Sequence, residues 1–324
     1  GLIQIWAGGD AENGNDADGT AWAQHVADAH RLAKGDYHLG PMPDDLLRVL
    51  ALSAVSSPAN VALRSLSRLT NNELANTSFQ LRNTAGRVGM AFLSLFNLPE
   101  SSALLRSQVM ERMIGDGPTS PYWRRTLHYC AAGCLQSVMD EFVHMIRESL
   151  GFIDRTNLAK LIEQVGVHIA SVLQIRTANP AVDEVDIKPH PSAVSLSTFH
   201  MRNRFAMRFG SELGDDGKGE IRAEVVRDAF NSPFWPFVLA TTSIGQEGLD
   251  FHMYCHAVMH WNLPSNPVDL EQREGRVHRY KGHAVRKNVA QAYVNSLGTS
   301  SLYEDTWEQL FHEARRHASS DLTP

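Results

Sequence analysis

The stretch 237–287 reads FVLATTSIGQEGLDFHMYCHAVMHWNLPSNPVDLEQREGRVHRYKGHAVRK. Three short apolar runs in and just after it have the composition of buried strands: 237–240, 257–261 and 289–294. Three helices are predicted around these runs by apolar spacing and by start and stop signals: 221–230, a helix that begins at Asn266-Pro267, and 302–317. This alternation predicts an α/β fold in which right-handed crossovers join the strands of a parallel sheet.

A polar and flexible turn follows the first apolar run. It carries Thr241, Thr242 and Ser243, with Gly248 and Asp250 just beyond. Ligands of a parallel sheet lie outside the carboxyl ends of its strands, where small hydroxyl groups reach nucleic-acid phosphates or sugars. Gly248 allows a tight bend, and Asp250 can accept a hydrogen bond from a ribose hydroxyl. The alternative is an ordinary strand-to-loop transition in which Asp250 is only a capping residue.

A second block combines an amide with two guanidinium groups. Gln272, Arg276 and Arg279 are spaced i, i+4, i+7, which places residues of one helix on a common face. The planar fork of arginine suits phosphate oxygens, and an arginine finger accelerates nucleotide hydrolysis by roughly 10³–10⁵. Gly275 has no side chain, so a nucleotide or another lobe can approach this face closely. The alternative is a solvated basic helix without a ligand.

Both blocks resemble the second motor lobe of superfamily 2 helicases and translocases. Residues 241–250 look like motif V of that family, and residues 272–279 fit its motif VI, Q-x-x-G-R-x-x-R. The tract that begins at Trp261-Asn262 is most similar to the Swi/Snf-type branch, whose members translocate on duplex DNA. The resemblance implies a RecA-like parallel sheet with flanking helices for residues 181–324.

The resemblance also implies a role for each matching residue. Arg276 and Arg279 are the expected catalytic arginine fingers, and Gln272 is expected to position the γ-phosphate or the attacking water. Three residues are expected on the ATP side: Gly248, Asp250 and Gly275. Four residues are expected to contact nucleic acid: Thr241, Thr242, Ser243 and Arg273. ATP and Mg²⁺ would be held mainly by an N-terminal RecA-like lobe, the expected partner of this one.

The signatures of that first lobe do not occur in this sequence. It has no G-x-x-x-x-G-K-[ST] phosphate loop and no acidic block of the Asp-Glu-x-His kind for magnesium. We therefore expect the chain to be a C-terminal piece of a larger protein and to hydrolyse no ATP alone. Motif IV is not clear either, although 193–197 and 205–209 have the composition of the first two strands of the lobe.

Composition favours a soluble protein of a reducing, cytoplasmic compartment. The 324 residues are 43% hydrophobic, include only three cysteines, and have no apolar run long enough to span a membrane. The net charge is −6, but 272–287 is basic, with a single acid, Glu274. Its basic residues are Arg273, Arg276, Arg279, Lys281, Arg286 and Lys287. This stripe predicts either a phosphate footprint or a basic surface that serves solubility.

Two groups of histidine and cysteine have a spacing that could bind a metal ion. Cys130 and Cys134, with His128 nearby, have helical spacing that is more typical of core thiols. The second group is denser: His252, Cys255, His256 and His260. It flanks a predicted buried strand and has no obvious carboxylate partner, so no metal site is predicted.

Residues 1–180 have a different character. A Gly-, Asn- and Asp-rich opening, 1–20, predicts a loop or disordered edge. After residues 21–32, apolar residues at helical spacing predict six helical stretches: 43–55, 60–69, 72–96, 101–114, 122–150 and 157–175. We interpret 1–180 as a helical accessory region, 181–324 as the motor lobe, and 178–192, which is rich in proline and acids, as the linker.

Three functions are compatible with these patterns. The first is the C-terminal lobe of an ATP-dependent DNA helicase or translocase. The second is a non-catalytic module, derived from such a lobe, that docks nucleic acid or protein. The third is the motor part of a restriction or defence enzyme. An ATPase assay of the full-length protein with different nucleic acids separates the first from the second.

Overall fold

The structure is a computed structural model that describes twelve segments of the chain: 27–35, 41–73, 78–107, 120–149, 151, 157–175, 181–187, 194–200, 225–240, 252–277, 279–298 and 304–318. For 181–187 and 194–200 only the backbone is described. The chain divides into two compact units, Gly1–Ala51 and Leu52–Pro324. All of the packing described below lies within the second unit.

In the part of the chain that the structure describes, these helices precede the strands: α1 Leu46–Ser56, α2 Pro58–Leu69, α3 Phe79–Phe96, α4 Pro99–Leu105, α5 Tyr122–Ala132, α6 Leu135–Ser149 and α7 Leu158–Leu173. The helices that follow the strands are α8 Pro267–Glu274, α9 His283–Tyr293 and α10 Thr306–His317. Residues 27–33 and 225–230 are also helical. Helices occur in each of the six predicted N-terminal stretches, but the helix in 72–96 begins only at Phe79, the helix in 101–114 ends at Leu105, and 122–150 is interrupted.

The interruption separates α5 from α6 at Gly133-Cys134. Cys134 has a φ of 50°, in the left-handed region that a helix interior excludes, and Gly133 follows the last residue of α5. Cys130 is buried and Cys134 is exposed, so the two thiols do not share a helix face. Burial raises the pKa of the Cys130 thiol to about 12, and this residue therefore behaves as a core thiol.

The core lies between α2, α3, α6 and α7. Its fully buried apolar residues include Val61, Leu66, Leu81, Phe92, Met139, Phe142, Ile162 and Ile169. Val226 and Ala229, from the helical residues 225–230, belong to the same core. Phe234 extends it, because its ring meets those of Phe92 and Phe142 edge-on at 5.3 and 5.7 Å. Residues 226–234 are thus packed on the helical bundle.

Helices α3 and α7 approach closely because Gly166 of α7 faces Thr84 of α3. A Cβ on Gly166 would overlap the Thr84 methyl group, whereas a Cβ on Gly86 of α3 would meet nothing within 4 Å. We expect Gly166→Ala to lower the free energy of unfolding by about 1–3 kcal/mol, since overpacking outweighs the gain in helix propensity. The control Gly86→Ala should raise it by up to about 1 kcal/mol. Urea denaturation measures both, and equal stabilisation of the two variants contradicts the close packing.

The predicted RecA-like parallel sheet with flanking helices is wrong for the residues that the structure describes. The strands there are β1, Ala181–Ile187, and β2, Val194–His200, which pair antiparallel with Ala181 opposite His200. Strand β1 lies inside the predicted linker, and β2 confirms a strand over most of 193–197. The segment 205–209 lies outside the described residues.

The three apolar runs that predicted the parallel sheet do not form strands. Residues 237–240 and 257–261 have no regular strand structure, and 289–293 continue α9 before a short 3-10 turn, Val294–Ser296. The physical reason in the last case is composition, because Ala290 and Ala292 favour a helix that has already begun at His283. A short apolar run does not distinguish a strand from part of a helix.

Among the described residues, no single helix is long and apolar enough to cross a membrane, while α1 and α2, bent by 44° at their junction, meet that length and composition only as a pair. The predicted division of the chain near residue 180 stays a prediction.

Candidate functional site

Helix α8 carries the first part of the Q-x-x-G-R-x-x-R block. Its start at Asn266-Pro267 is confirmed: the Asn266 side chain accepts a hydrogen bond from the backbone N–H of Val268 at 3.0 Å, and Pro267 occupies the first turn. The helix ends at Glu274, and Gly275 caps it by donating its N–H to the Glu271 carbonyl at 2.8 Å.

The early end of α8 changes the geometry of the block. Gln272 is exposed in the last helical turn, Arg276 is half-buried in the turn at 275–277, and Arg279 is exposed beyond it. The prediction that one helix face carries all three side chains is therefore wrong. Gln272 extends from a helix, whereas the two arginines belong to the loop that leads into α9. The catalytic roles of these residues remain predictions.

Arg273 and Glu274 hold the preceding loop against α8. Arg273 donates through Nη1 to the Asn262 carbonyl at 3.0 Å, and Glu274 lies 3.4 Å from Nε2 of His260. Arg273 is half-buried, and its predicted contact with nucleic acid would compete with this loop contact. Trp261 is almost fully exposed in the same loop.

Two cations of the basic stripe are buried, so they fit neither a phosphate footprint nor a basic surface that serves solubility. Lys281 and Arg286 are 6% and 1% exposed. Lys281 pairs with Glu148 of α6, and Nε of Arg286 lies 2.6 Å from Glu141 of α6. These two residues are structural, whereas Lys287 is exposed.

A comparison with known protein families matches this part of the chain. Residues 214–281 match the helicase conserved C-terminal domain. This segment is therefore similar to the C-terminal domains of helicases. No curated protein and no solved structure matches the chain. The match ends at Lys281, so the helicase segment, as we call 214–281 from here, includes Gln272, Arg276 and Arg279.

Part of the helicase segment lies outside the described residues. Five predicted site residues lie outside the described residues: Thr241, Thr242, Ser243, Gly248 and Asp250. Their predicted contacts with ATP and nucleic acid stay predictions. Gly275, the third residue predicted on the ATP side, is exposed at the C-terminal cap of α8.

Burial shifts the pKa values of two groups near the Arg286 guanidinium. The guanidinium lies over the ring of Tyr254, 4.9 Å from the centroid. Burial, and then the charge of Glu141, raise the pKa of Tyr254 well above its ordinary value. Burial, and then the charges of Arg286 and His256, lower the pKa of His283. The rings of His256 and His283 are 5.0 Å apart.

Helix α10 is joined to α6 by a buried histidine–carboxylate pair. Asp305 caps α10 by accepting from Trp307 and Glu308 N–H at 3.0 and 3.1 Å, and it lies 2.8 Å from Nδ1 of His144. Burial alone raises the pKa of Asp305, but the hydrogen bond and charge of His144, with the charge of Arg147, lower it below its ordinary value.

Sequence reasoning missed the acids of α6. Glu141 and Glu148 contact the chain directly after the helicase segment's arginines, yet neither was singled out. Their spacing of seven residues, two helical turns, was the available signal. The partners are more than 130 residues away along the chain, so no local pattern indicated them.

Two other features of the described residues lie outside this site. An apolar cavity of ≈ 450 Å³ is lined by residues such as Phe96, Tyr129 and Trp235 and includes none of the predicted site residues. The described residues contain no group of three or more histidine, cysteine, aspartate or glutamate side chains that could hold a metal ion.

Proposed function

We propose that the helicase segment is part of the C-terminal motor lobe of an ATP-dependent translocase that acts on nucleic acid. The proposed substrate is duplex DNA, as it is for the Swi/Snf-type branch. One observation carries the proposal: the match to the helicase C-terminal domain contains the complete Q-x-x-G-R-x-x-R block, with Gln272 and Arg279 exposed. Helicase-family proteins of this kind generally hydrolyse ATP and bind nucleic acid. The tract that begins at Trp261-Asn262 supports the assignment to the Swi/Snf-type branch.

In this proposal the loop after α8 meets ATP that is bound mainly by an N-terminal lobe. Arg276 and Arg279 neutralise charge that develops on the γ-phosphate oxygens, and Gln272 orients that phosphate or the attacking water. Gly248, Asp250 and Gly275 form the ATP side of the lobe. Opening and closing of the two lobes then moves the protein along its track, as a hinge-type motion.

Magnesium is assigned to the N-terminal lobe. The described residues do not fit a Mg²⁺ ion, which prefers carboxylate oxygens in octahedral geometry, because they offer no cluster of acids. No step assigned to the helicase segment depends on the ion.

Nucleic acid is proposed to contact Thr241, Thr242, Ser243 and Arg273. If about three phosphates are contacted, affinity of the chain for duplex DNA should fall roughly 40-fold between 50 and 200 mM salt, because each contact releases counterions. Fluorescence anisotropy with a labelled duplex measures this dependence. Arg273→Ala should reduce the slope of log affinity against log salt by about 1, whereas Glu163→Gln, at an exposed acid of α7, should not change it. Tight binding that ignores salt contradicts the proposed contacts.

A docking module is the second candidate. It is favoured by exposed apolar side chains in the helicase segment, among them Phe237, Met259 and Trp261, since exposed apolar groups are typical of interaction surfaces. A motor that serves a restriction or defence enzyme has the same signature in this segment. Measurement of nucleic-acid-stimulated ATP hydrolysis by the full-length protein tests whether it is a motor. If no such hydrolysis is found, the docking module is the function that remains.

A further inference from the structure

Two carboxylates of α6 face the chain immediately after the helicase segment's arginines. Glu141 and Glu148 are two helical turns apart and therefore on one side of α6. Glu148 pairs with Lys281, and Glu141 pairs with Arg286 at 2.6 Å. Lys281 follows Arg279 by two residues, and Arg286 lies in α9.

The Glu148 contact holds a tight turn. Lys281 has a φ of 53°, a left-handed conformation that its surroundings must maintain. Next to it, Gly282 donates its N–H to the Arg279 carbonyl at 2.9 Å, and a Cβ on Gly282 would lie only 3.0 Å from that oxygen. The Lys281 ammonium also lies 4.3 Å from the ring centroid of Phe311 in α10. The turn 279–282 is therefore fixed by α6 on one side and α10 on the other.

The contact between Glu141 and Arg286 also holds this turn. Arg286 uses Nε for Glu141, Nη1 for the Lys281 carbonyl at 2.6 Å, and Nη2 for the Met253 carbonyl. One buried guanidinium thus joins α6, the turn and the loop at 252–254. Because this fork is planar and rigid, it transmits the position of α6 to the turn.

We propose that Glu141 and Glu148 are positioning residues for Arg276 and Arg279. In this proposal α6 sets the position, relative to ATP, of the loop that carries these two arginines, here called the arginine loop. This inference rests on the proposed function. Two residues of chain span at most about 7 Å, so movement of Lys281 must displace Arg279. Misplacement of a catalytic group by about 1 Å is enough to slow a reaction by roughly 10²-fold.

The first experiment needs no activity. Hydrogen exchange of the backbone amides at 273–282 is compared between the wild-type chain and Glu148→Lys, which places a like charge against Lys281. Exchange should accelerate by about tenfold or more, and the double variant Glu148→Lys with Lys281→Glu should restore protection, since the ion pair is reformed with its charges exchanged. Glu163→Gln is the control, and circular dichroism checks that each variant is folded.

The second experiment uses the full-length protein. In Glu148→Lys, kcat of nucleic-acid-stimulated ATP hydrolysis should fall about 10- to 100-fold while KM for ATP changes less than about threefold, and the double variant should recover kcat. Glu141→Gln should also lower kcat. If Glu141→Gln does not fold, the result for Glu148→Lys decides whether the inference holds. Unchanged exchange, or altered exchange with unchanged kcat, overturns the inference. If the wild-type protein has no ATPase activity, only the proposed function is overturned. The exchange experiment still decides whether α6 anchors the turn 279–282.

Discussion

Replacing Arg279 with alanine in the full-length protein is expected to lower nucleic-acid-stimulated ATP hydrolysis by at least about 100-fold, and replacing Arg276 is expected to do the same. The physical reason is the charge that develops on the transferred phosphoryl group, which a guanidinium stabilises more strongly in the transition state than in the ground state. Measurement of kcat at saturating ATP and DNA gives the effect, and binding of DNA should remain measurable.

Lys287→Ala is the matched control for loss of one basic residue. Lys287 is exposed on α9 and is assigned no contact with ATP, so its removal should leave kcat within about twofold of wild type. If Arg276→Ala and Arg279→Ala are as active as this control, neither residue is a finger. Since Arg276 is half-buried and Arg279 exposed, a fall in kcat must be accompanied by an unchanged unfolding midpoint to count as catalytic.

Arg286→Met is expected to destabilise the second unit by about 3–5 kcal/mol, because it leaves the Glu141 carboxylate without its buried partner. The substitution also removes donors from the Lys281 and Met253 carbonyls and the cation above the Tyr254 ring. Urea denaturation, followed by circular dichroism, measures the loss.

Lys287→Met, one residue along the same helix, provides the comparison. It removes an exposed cation and should change stability by no more than about 0.5 kcal/mol. A loss for Arg286→Met that is no larger than this would show that the buried pair contributes little to folding.

The sequence predicted the helices well, because their signals are local. Apolar spacing in α6 and α7 and the cap at Asn266-Pro267 are read within one or two turns. The prediction failed where structure depends on distant partners or on short segments. Strand β1 has acids at three of its seven positions and forms by pairing with β2, and the run at 289–294 was too short to separate strand from helix.

The residues of the candidate site stay a prediction, and the geometry predicted for Gln272, Arg276 and Arg279 is wrong. Glycine at 275 is a typical helix C-cap, but the spacing of Gln272, Arg276 and Arg279 predicted a helix that continues through it, and α8 ends at Glu274 instead. The spacing of Glu141 and Glu148 is a local signal, but no local pattern indicated their partners in the turn, since Glu141 and Arg286 are distant in sequence. Burial of Lys281 and Arg286 was equally hidden, because a basic residue on its own gives no sign of its counterion.

The attachment of residues 281–286 to α6 also affects how the protein should be divided for experiments. A recombinant fragment cut to the matched region, 214–281, would separate Lys281 from Glu148, Phe234 from Phe92, and the arginine loop from α9. Such a fragment would expose apolar surface and would report on a misplaced loop. The smallest unit suitable for expression therefore begins ahead of α2 and ends after α10, well outside the limits that sequence similarity marks.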